Sequence, residues 1–208
     1  MSVWNPQGLY AVTDPDLLPG DRLYQAVEAA LIGGASLVQY RDKQASPQQR
    51  LERAQRLQAL CQQYQCPLLI NDDIALALSV GAAGVHLGRS DGSLVDARRR
   101  LGPDAIIGAT CHDSLAFARE AKTQGASYIA FGSFFPSRIK PDAPVPPLSL
   151  IQEAKREFGL PVVAIGGITL ENAPTLQAAG ADLLAVITGL FAAPDVTQRA
   201  REFGKLFA

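Results

Sequence analysis

Eight short apolar runs, each followed by a stretch of helical period, organise this chain. The runs are LYAVTD (9–14), LVQYRD (37–42), LLIND (68–72), GVHLG (84–88), AIIGATC (105–111), YIAFGSF (128–134), PVVAIGG (161–167) and LLAVITG (183–189). RLYQAVEAALIGG after the first run and LENAPTLQAAG after the seventh have helical spacing, and the segment after the third, IALALSVG, is short. Strands that alternate with helices imply right-handed crossovers and a parallel sheet. Gly34-Ala35-Ser36, Gly81-Ala82-Ala83, Gly125-Ala126-Ser127 and Gly180-Ala181-Asp182 each stand between a helix and the next strand. That is the place of a left-handed glycine cap, and its recurrence marks a repeating αβ unit. Eight such units in 208 residues predict one (β/α)8 (TIM) barrel domain over residues 1–208. An open doubly wound sheet is the alternative. It calls for G-x-G-x-x-G after the first strand, and VTDPDLLPGD contains none.

Composition narrows the function classes. With a net charge of −1 and scattered basic residues, the chain has no basic face for nucleic acid, so attraction for an anion must be local. The run Arg98-Arg99-Arg100 lies in an amphipathic stretch and reads as a solvated turn. Three cysteines, Cys61, Cys66 and Cys111, lack the count and spacing of a disulfide framework or a zinc site. No apolar run reaches the ~18 residues of a membrane span, and MSVWNPQGLY lacks the pattern of a signal peptide. These features predict a soluble cytoplasmic protein with small-molecule partners and neither nucleic acid nor membrane; homo-oligomerisation is left open.

In such a barrel function resides where strands end. Gln39, Arg41 and Lys43 alternate at the end of the second run and so share a face; Asn71-Asp72-Asp73, Gly88-Arg89-Ser90-Asp91 and Thr110-Cys111-His112 end the next three. The sixth run enters a long loop with Ser137, Arg138, Ile139 and Lys140; the last two end in Gly166-Gly167 and Ile187-Thr188-Gly189. Arg41, Lys43 and Lys140 suit a polyanion such as a diphosphate. Asp72 and Asp91 are two carboxylates on adjacent strands, which with phosphate oxygens are how Mg²⁺ is usually held. Gly166-Gly167 and Thr188-Gly189 occupy the usual phosphate cradle of these barrels.

Taken singly, each feature has a simpler reading. A lone cation at a strand end is usually a solvated cap, and Asp14, Asp73 and Asp113 are read as helix N-caps. His86, mid-strand, reads as a satisfied core histidine, while His112 faces the mouth. Cys111 has no base partner in view. The combination on one rim is what favours a phosphate site.

LYAVTD, VQYRDK, LIND, GVHLGRSD, IGATCH, FGSFFPSRIKPDAP, VVAIGGI and VITGLF, in that order, resemble the thiamine-phosphate synthase family over nearly the whole chain. The resemblance implies a TIM barrel that joins hydroxymethylpyrimidine diphosphate to a (carboxy)thiazole phosphate, releasing thiamine phosphate, diphosphate and CO₂. It implies that the segment Gln39-Tyr40-Arg41-Asp42-Lys43, with Asn71, Thr110 and Lys140, binds the pyrimidine diphosphate. It assigns Mg²⁺ to Asp72 and Asp91, and the thiazole phosphate to Ser137, Ile139, Gly167, Ile187 and Thr188. Arg41, Lys43 and Lys140 become the catalytic cations, and the proline-rich loop at 136–146 a lid. The family shows Thr-x-Thr-Lys where this chain has Ser137-Arg138-Ile139-Lys140. Ile139 removes one hydroxyl donor, a loss of ~1–3 kcal/mol where the acceptor stays buried. Ile139→Thr is therefore expected to lower the KM for the thiazole phosphate. Two rivals stand beside this reading: a thiazole tautomerase on the same fold, which needs no metal pair, and a non-catalytic sensor of phosphorylated ligands.

Overall fold

The computed structural model describes residues 4–136 and 145–208. Eight parallel strands, Gly8–Val12 (β1), Leu37–Tyr40 (β2), Leu68–Asn71 (β3), Gly84–Leu87 (β4), Ile106–His112 (β5), Tyr128–Phe131 (β6), Val162–Ile165 (β7) and Leu183–Val186 (β8), close in chain order into a barrel. Closure is the pairing of β8 with β1, in which Ala11 faces Val186. Helices Arg22–Ile32 (α1), Pro47–Gln63 (α2), Ile74–Val80 (α3), Leu94–Leu101 (α4), Leu115–Thr123 (α5), Ser149–Phe158 (α6), Ala173–Ala178 (α7), Thr188–Phe191 (α8) and Val196–Gly204 (α9) follow the strands. The expected (β/α)8 architecture is the one found. None of the described helices is long and apolar enough to cross a membrane.

Period-two alternation divides the apolar side chains between two cores. Tyr10, Leu37, Leu69, Ile106, Tyr128, Val163 and Leu183 point inward and fill the barrel. Their neighbours, such as Leu9, Val38, Ile70, Val85, Ile129 and Leu184, point outward and are covered by the helices. The interior is therefore a packed plug below and a cavity above. All the strands but β5 are shorter than the apolar runs, because residues such as Thr13-Asp14 and Arg41-Asp42 lie beyond the strand ends, in the loops of the mouth.

The helix ends explain the local order. The four recurring glycines have φ of 93° (Gly34), 66° (Gly81), 89° (Gly125) and 103° (Gly180), which side chains rarely adopt. Ser46 begins α2 with a capping box: its hydroxyl accepts from the Gln49 N–H (3.3 Å) and Gln49 Oε1 accepts from the Ser46 N–H (3.1 Å). Asp73 caps α3 through the Leu76 N–H at 2.8 Å, as expected. Two expected caps are different. Ser114, not Asp113, caps α5, and Asp14 closes a turn on the N–H groups of Asp16 and Leu17, ahead of α1.

Arg98 corrects the reading of the triple-arginine run. Its guanidinium donates to the carbonyls of Gly102 (2.9 Å), Ala105 (2.8 Å) and Gly125 (2.9 Å) and to Ser127 Oγ (3.0 Å). It staples the end of α4 to the starts of β5 and β6, on the face opposite the mouth. Arg99 and Arg100 do stay at the surface, paired with Asp96.

Candidate active site

At the C-terminal end of the barrel the strands surround a cavity of about 960 Å³. Its floor is a run of polar contacts. Gln39 Nε2 donates to the Tyr10 hydroxyl; Tyr10 and Tyr128 hydroxyls are 2.8 Å apart; Tyr128 Oη is 2.8 Å from His86 Nδ1; and His86 Nε2 is 2.8 Å from Thr110 Oγ1. All five residues point inward on their strands by alternation. Burial pushes the His86 pKa down to about 4, against an opposing pull from Asp72, so the ring is neutral near pH 7. Burial raises both phenols, which stay protonated. Tyr10 and Tyr128 belong to no motif in the sequence; period-two alternation in β1 and β6 is the signal that turns them inward.

Above this floor stand the charged residues. Arg41, Lys43, Asn71, Asp72 and Asp91 all line the cavity. Thr13 braces the backbone at Arg41, its hydroxyl accepting from the Arg41 N–H (2.9 Å) and facing the Arg41 carbonyl (3.2 Å). Lys43 Nζ is 2.9 Å from Asp72 Oδ2, which also accepts from Asn71 Nδ2 at 2.7 Å. Alternation alone would turn Asn71 and Asp72 to opposite faces. Asp72 has φ 62°, a left-handed conformation that brings its carboxylate back toward the mouth and frees Asp73 for α3.

Tyr40 and Asp42, also expected at the substrate, are placed differently: neither lines the cavity. Both turn to the helix layer. Asp42 accepts from the Gln44 and Ala45 N–H groups, each at 3.0 Å, and from Arg53 of α2 at 2.6 Å, with the Tyr40 hydroxyl at 3.4 Å. Burial alone would raise the Asp42 carboxyl, yet the two backbone N–H groups and Arg53 together hold it below its ordinary value. The pair shapes the loop from which Arg41 and Lys43 project.

Beyond the neighbouring strand β4, Gly88 is required by Asp91, whose carboxylate lies over it: an added Cβ would collide with Asp91 Oδ2. Arg89 lies beside Asp91 with its guanidinium 3.8 Å from the centre of the Phe117 ring. His112 and Asp113 also reach the cavity. His112 takes φ 53° at a register shift between Thr110 and His112 in β5. Cys111, between them, is fully buried on the outer face, and burial pushes its thiol up to about 12. A thiolate nucleophile is not available there.

Gly166 and Ile187 line the cavity from β7 and β8; Gly167 and Thr188 are the next residues along. Gly167 has φ 60°, and an added Cβ would stand 2.8 Å from Phe135 Cβ. Asn172 holds this loop by accepting from the Thr169 N–H (2.8 Å) and donating to the Gly167 carbonyl (3.0 Å). Ser137, Ile139 and Lys140, with residues 137–144 of the expected lid, lie outside the described residues.

No cluster of three His, Cys, Asp or Glu side chains able to hold a metal occurs among the described residues. Asp72 and Asp91 are hard oxygen donors at one mouth, so they fit an ion such as Mg²⁺ that completes its shell with phosphate and water oxygens.

Residues 9–190 match the family model described as thiamine monophosphate synthase. The chain belongs to that family. Thiamine-phosphate synthesis, a transferase reaction of thiamine biosynthesis, is its function. The chain is 56% identical to the thiamine-phosphate synthase of Marinobacter nauticus over 97% of its own length and 91% of that protein. It is 53% identical to the enzyme of the same name from Methylobacillus flagellatus, covering 97% and 95%. Among solved structures, the thiamine phosphate pyrophosphorylase of Pyrococcus furiosus superposes with a TM-score of 0.88 at 36% identity, covering 98% of this chain and 96% of that one. A 3-hexulose-6-phosphate synthase shares the fold alone, at 17% identity and a TM-score of 0.68.

Proposed function

We propose that this thiamine-phosphate synthase couples hydroxymethylpyrimidine diphosphate to a (carboxy)thiazole phosphate, with Mg²⁺, to give thiamine phosphate, diphosphate and, from the carboxylated thiazole, CO₂. The observation that carries this reading is the shared mouth: Arg41 and Lys43 stand with Asp72 and Asp91 above a floor of neutral hydrogen-bonding groups. The bond that breaks joins the pyrimidine CH₂ to a diphosphate oxygen, and the bond that forms joins that CH₂ to the thiazole nitrogen. Negative charge grows on the leaving group, so fixed positive charge at the mouth lowers the barrier.

Arg41 and Lys43 supply that charge, and Lys140 is assigned the same role from its place in the sequence. Asp72 and Asp91 would hold Mg²⁺, which when bound neutralises the leaving diphosphate. Asn71 donates beside Asp72 and steadies it. Gln39 and Thr110, at the two ends of the floor, meet the aminopyrimidine, while Gly167, Ile187 and Thr188, with Ser137 and Ile139, meet the thiazole phosphate. Such a displacement requires no general base or covalent nucleophile, which suits a neutral His86 and a protonated Cys111 turned away from the mouth.

The test supplies both substrates with Mg²⁺ and follows diphosphate. Release of diphosphate that depends on both substrates is the expected result. Isomerisation of a thiazole phosphate with no diphosphate would instead identify a tautomerase, and tight binding with no turnover a sensor.

A further inference from the structure

We infer that Arg50 and Arg53 of α2 are positioning residues for the mouth: one turn of helix holds the loop that carries Lys43 and the loop that carries Asp72 at a fixed spacing. This clamp rests on the reading that diphosphate and Mg²⁺ occupy the mouth. It deepens that reading by giving two residues that do not line the cavity control over how tightly both are held.

Three ion pairs close into a ring. Arg53 Nη1 is 2.6 Å from Asp42 Oδ2, and Asp42 is the chain neighbour of Lys43. Lys43 Nζ is 2.9 Å from Asp72 Oδ2, and Asp72 is the chain neighbour of Asp73. Asp73 Oδ2 is 3.0 Å from Arg50 Nη2. Arg50 and Arg53 stand three apart on α2, so they share a face and complete the circuit. In both loops adjacent residues point to opposite sides. Lys43 and Asp72 line the cavity, while Asp42 and Asp73 reach back to the helix.

Each anchor is also fixed at its base. Asp42 Oδ1 accepts from the N–H groups of Gln44 and Ala45, in the turn that leads into Ser46, the cap of α2. Asp73 Oδ1 accepts from the Leu76 N–H and leaves Oδ2 for Arg50. The register between β2 and β3 ends at Tyr40 and Ile70, so past that point the two loops depend on side chains for their spacing.

The links of the ring differ in what can open them. The four groups of the outer pairs are about one-third exposed or less, whereas Lys43 is more than half exposed. An anion that takes Lys43 and a cation that takes Asp72 must break the pair between them. The arms to α2 then hold the spacing, and a spacing fixed in advance lowers the ordering cost of binding.

Isothermal titration with inorganic diphosphate and Mg²⁺ reads the site without turnover. Arg50→Met and Arg53→Met keep the apolar stem and lose the arm. Each should weaken binding roughly tenfold, within the ~100-fold that a misplacement of about 1 Å can cost. The double variant should be little weaker than either single one, because one open arm already releases the spacing. Arg50→Lys and Arg53→Lys should recover most of the loss. Asp73→Asn keeps an oxygen for the Leu76 N–H, cuts the Arg50 arm from its other end and should match Arg50→Met. Arg56→Met is the control for charge. It removes an equal charge from the same helix, but that guanidinium lies over Tyr24 and pairs with Asp21, and binding should equal wild type. The KM for thiazole phosphate should not change in any of them. Circular dichroism selects the folded variants for comparison. Wild-type affinity in the folded arm variants, fully additive losses in the double variant, or an equal loss in Arg56→Met overturns the clamp. Wild-type protein that takes no diphosphate with Mg²⁺ sinks the substrate reading and the clamp with it, a failure told apart because it is seen before any substitution.

Discussion

Lys43 Nζ and Asp72 Oδ2 are 2.9 Å apart at the mouth of the barrel, joining a cation placed for phosphate to a carboxylate placed for a metal ion. The lysine side chain is 56% exposed and the carboxylate 23%, so water screens the pair and its net worth is below ~1 kcal/mol. It can therefore be exchanged: diphosphate takes the lysine and Mg²⁺ takes the aspartate. Lys43→Ala should change unfolding free energy by less than about 1 kcal/mol while lowering kcat/KM for the pyrimidine diphosphate by roughly 10- to 100-fold. Urea titration and steady-state kinetics on the same sample separate the two effects.

The glycine beneath Asp91 predicts a metal phenotype. In Gly88→Ala the new methyl group would displace the Asp91 carboxylate, since no other atom is so close to that position. The expected result is a half-saturating Mg²⁺ concentration raised by roughly tenfold, or about 1.4 kcal/mol of lost affinity. Asp91→Ala should lose turnover more severely while still binding thiazole phosphate, as isothermal titration would report. Equal Mg²⁺ dependence in Gly88→Ala and wild type would rule out Asp91 as a ligand.

Asp42 predicts an acid limit to stability. Its folded pKa lies below the ordinary 3.8, so the fold favours the carboxylate. That contribution is fully present above about pH 4 and is lost as pH falls through the folded pKa. Asp42→Asn keeps the shape but leaves Arg53, about one-third exposed, without its charge partner. A loss of about 2 kcal/mol at pH 7 is expected, less than for a fully buried pair, with a shallower fall in stability below pH 4. Denaturant melts at pH 7, 4 and 3 provide the check.

Arg98 separates stability from catalysis. Arg98→Ala removes donors from the carbonyls of Gly102, Ala105 and Gly125, part-buried groups at the face opposite the cavity. A loss of about 2–4 kcal/mol is expected from these unmet acceptors. Below the melting temperature kcat/KM should be unchanged. A large kinetic defect at full folding would contradict the assignment of the mouth as the active end.

Much of the site was legible because a strand has a period of two. Once Gln39 is taken as inward, Arg41 follows, and the same rule turns Tyr40 and Asp42 outward to Arg53. Alternation thus divides a segment that reads as one unit into an inward set, Gln39, Arg41 and Lys43, and an outward pair. Asp72 runs the other way. Alternation would have put it outward, and its φ of 62° reverses the outcome. Arg98 looked like its two solvated neighbours because helix position alone does not reveal three carbonyls gathered at the ends of other elements.

Local order was written in the chain itself: eight αβ units, glycine after a helix and the capping serines are contacts made within a few residues, so pattern and propensity determine them. Which distant groups meet was left to closure of the barrel. Tyr10 and Tyr128 are 118 positions apart and bond across the interior, because joining β8 to β1 forces inward side chains into one crowded layer. Burial then removes water as a partner, and each polar group on that layer must take the neighbour that the register brings it.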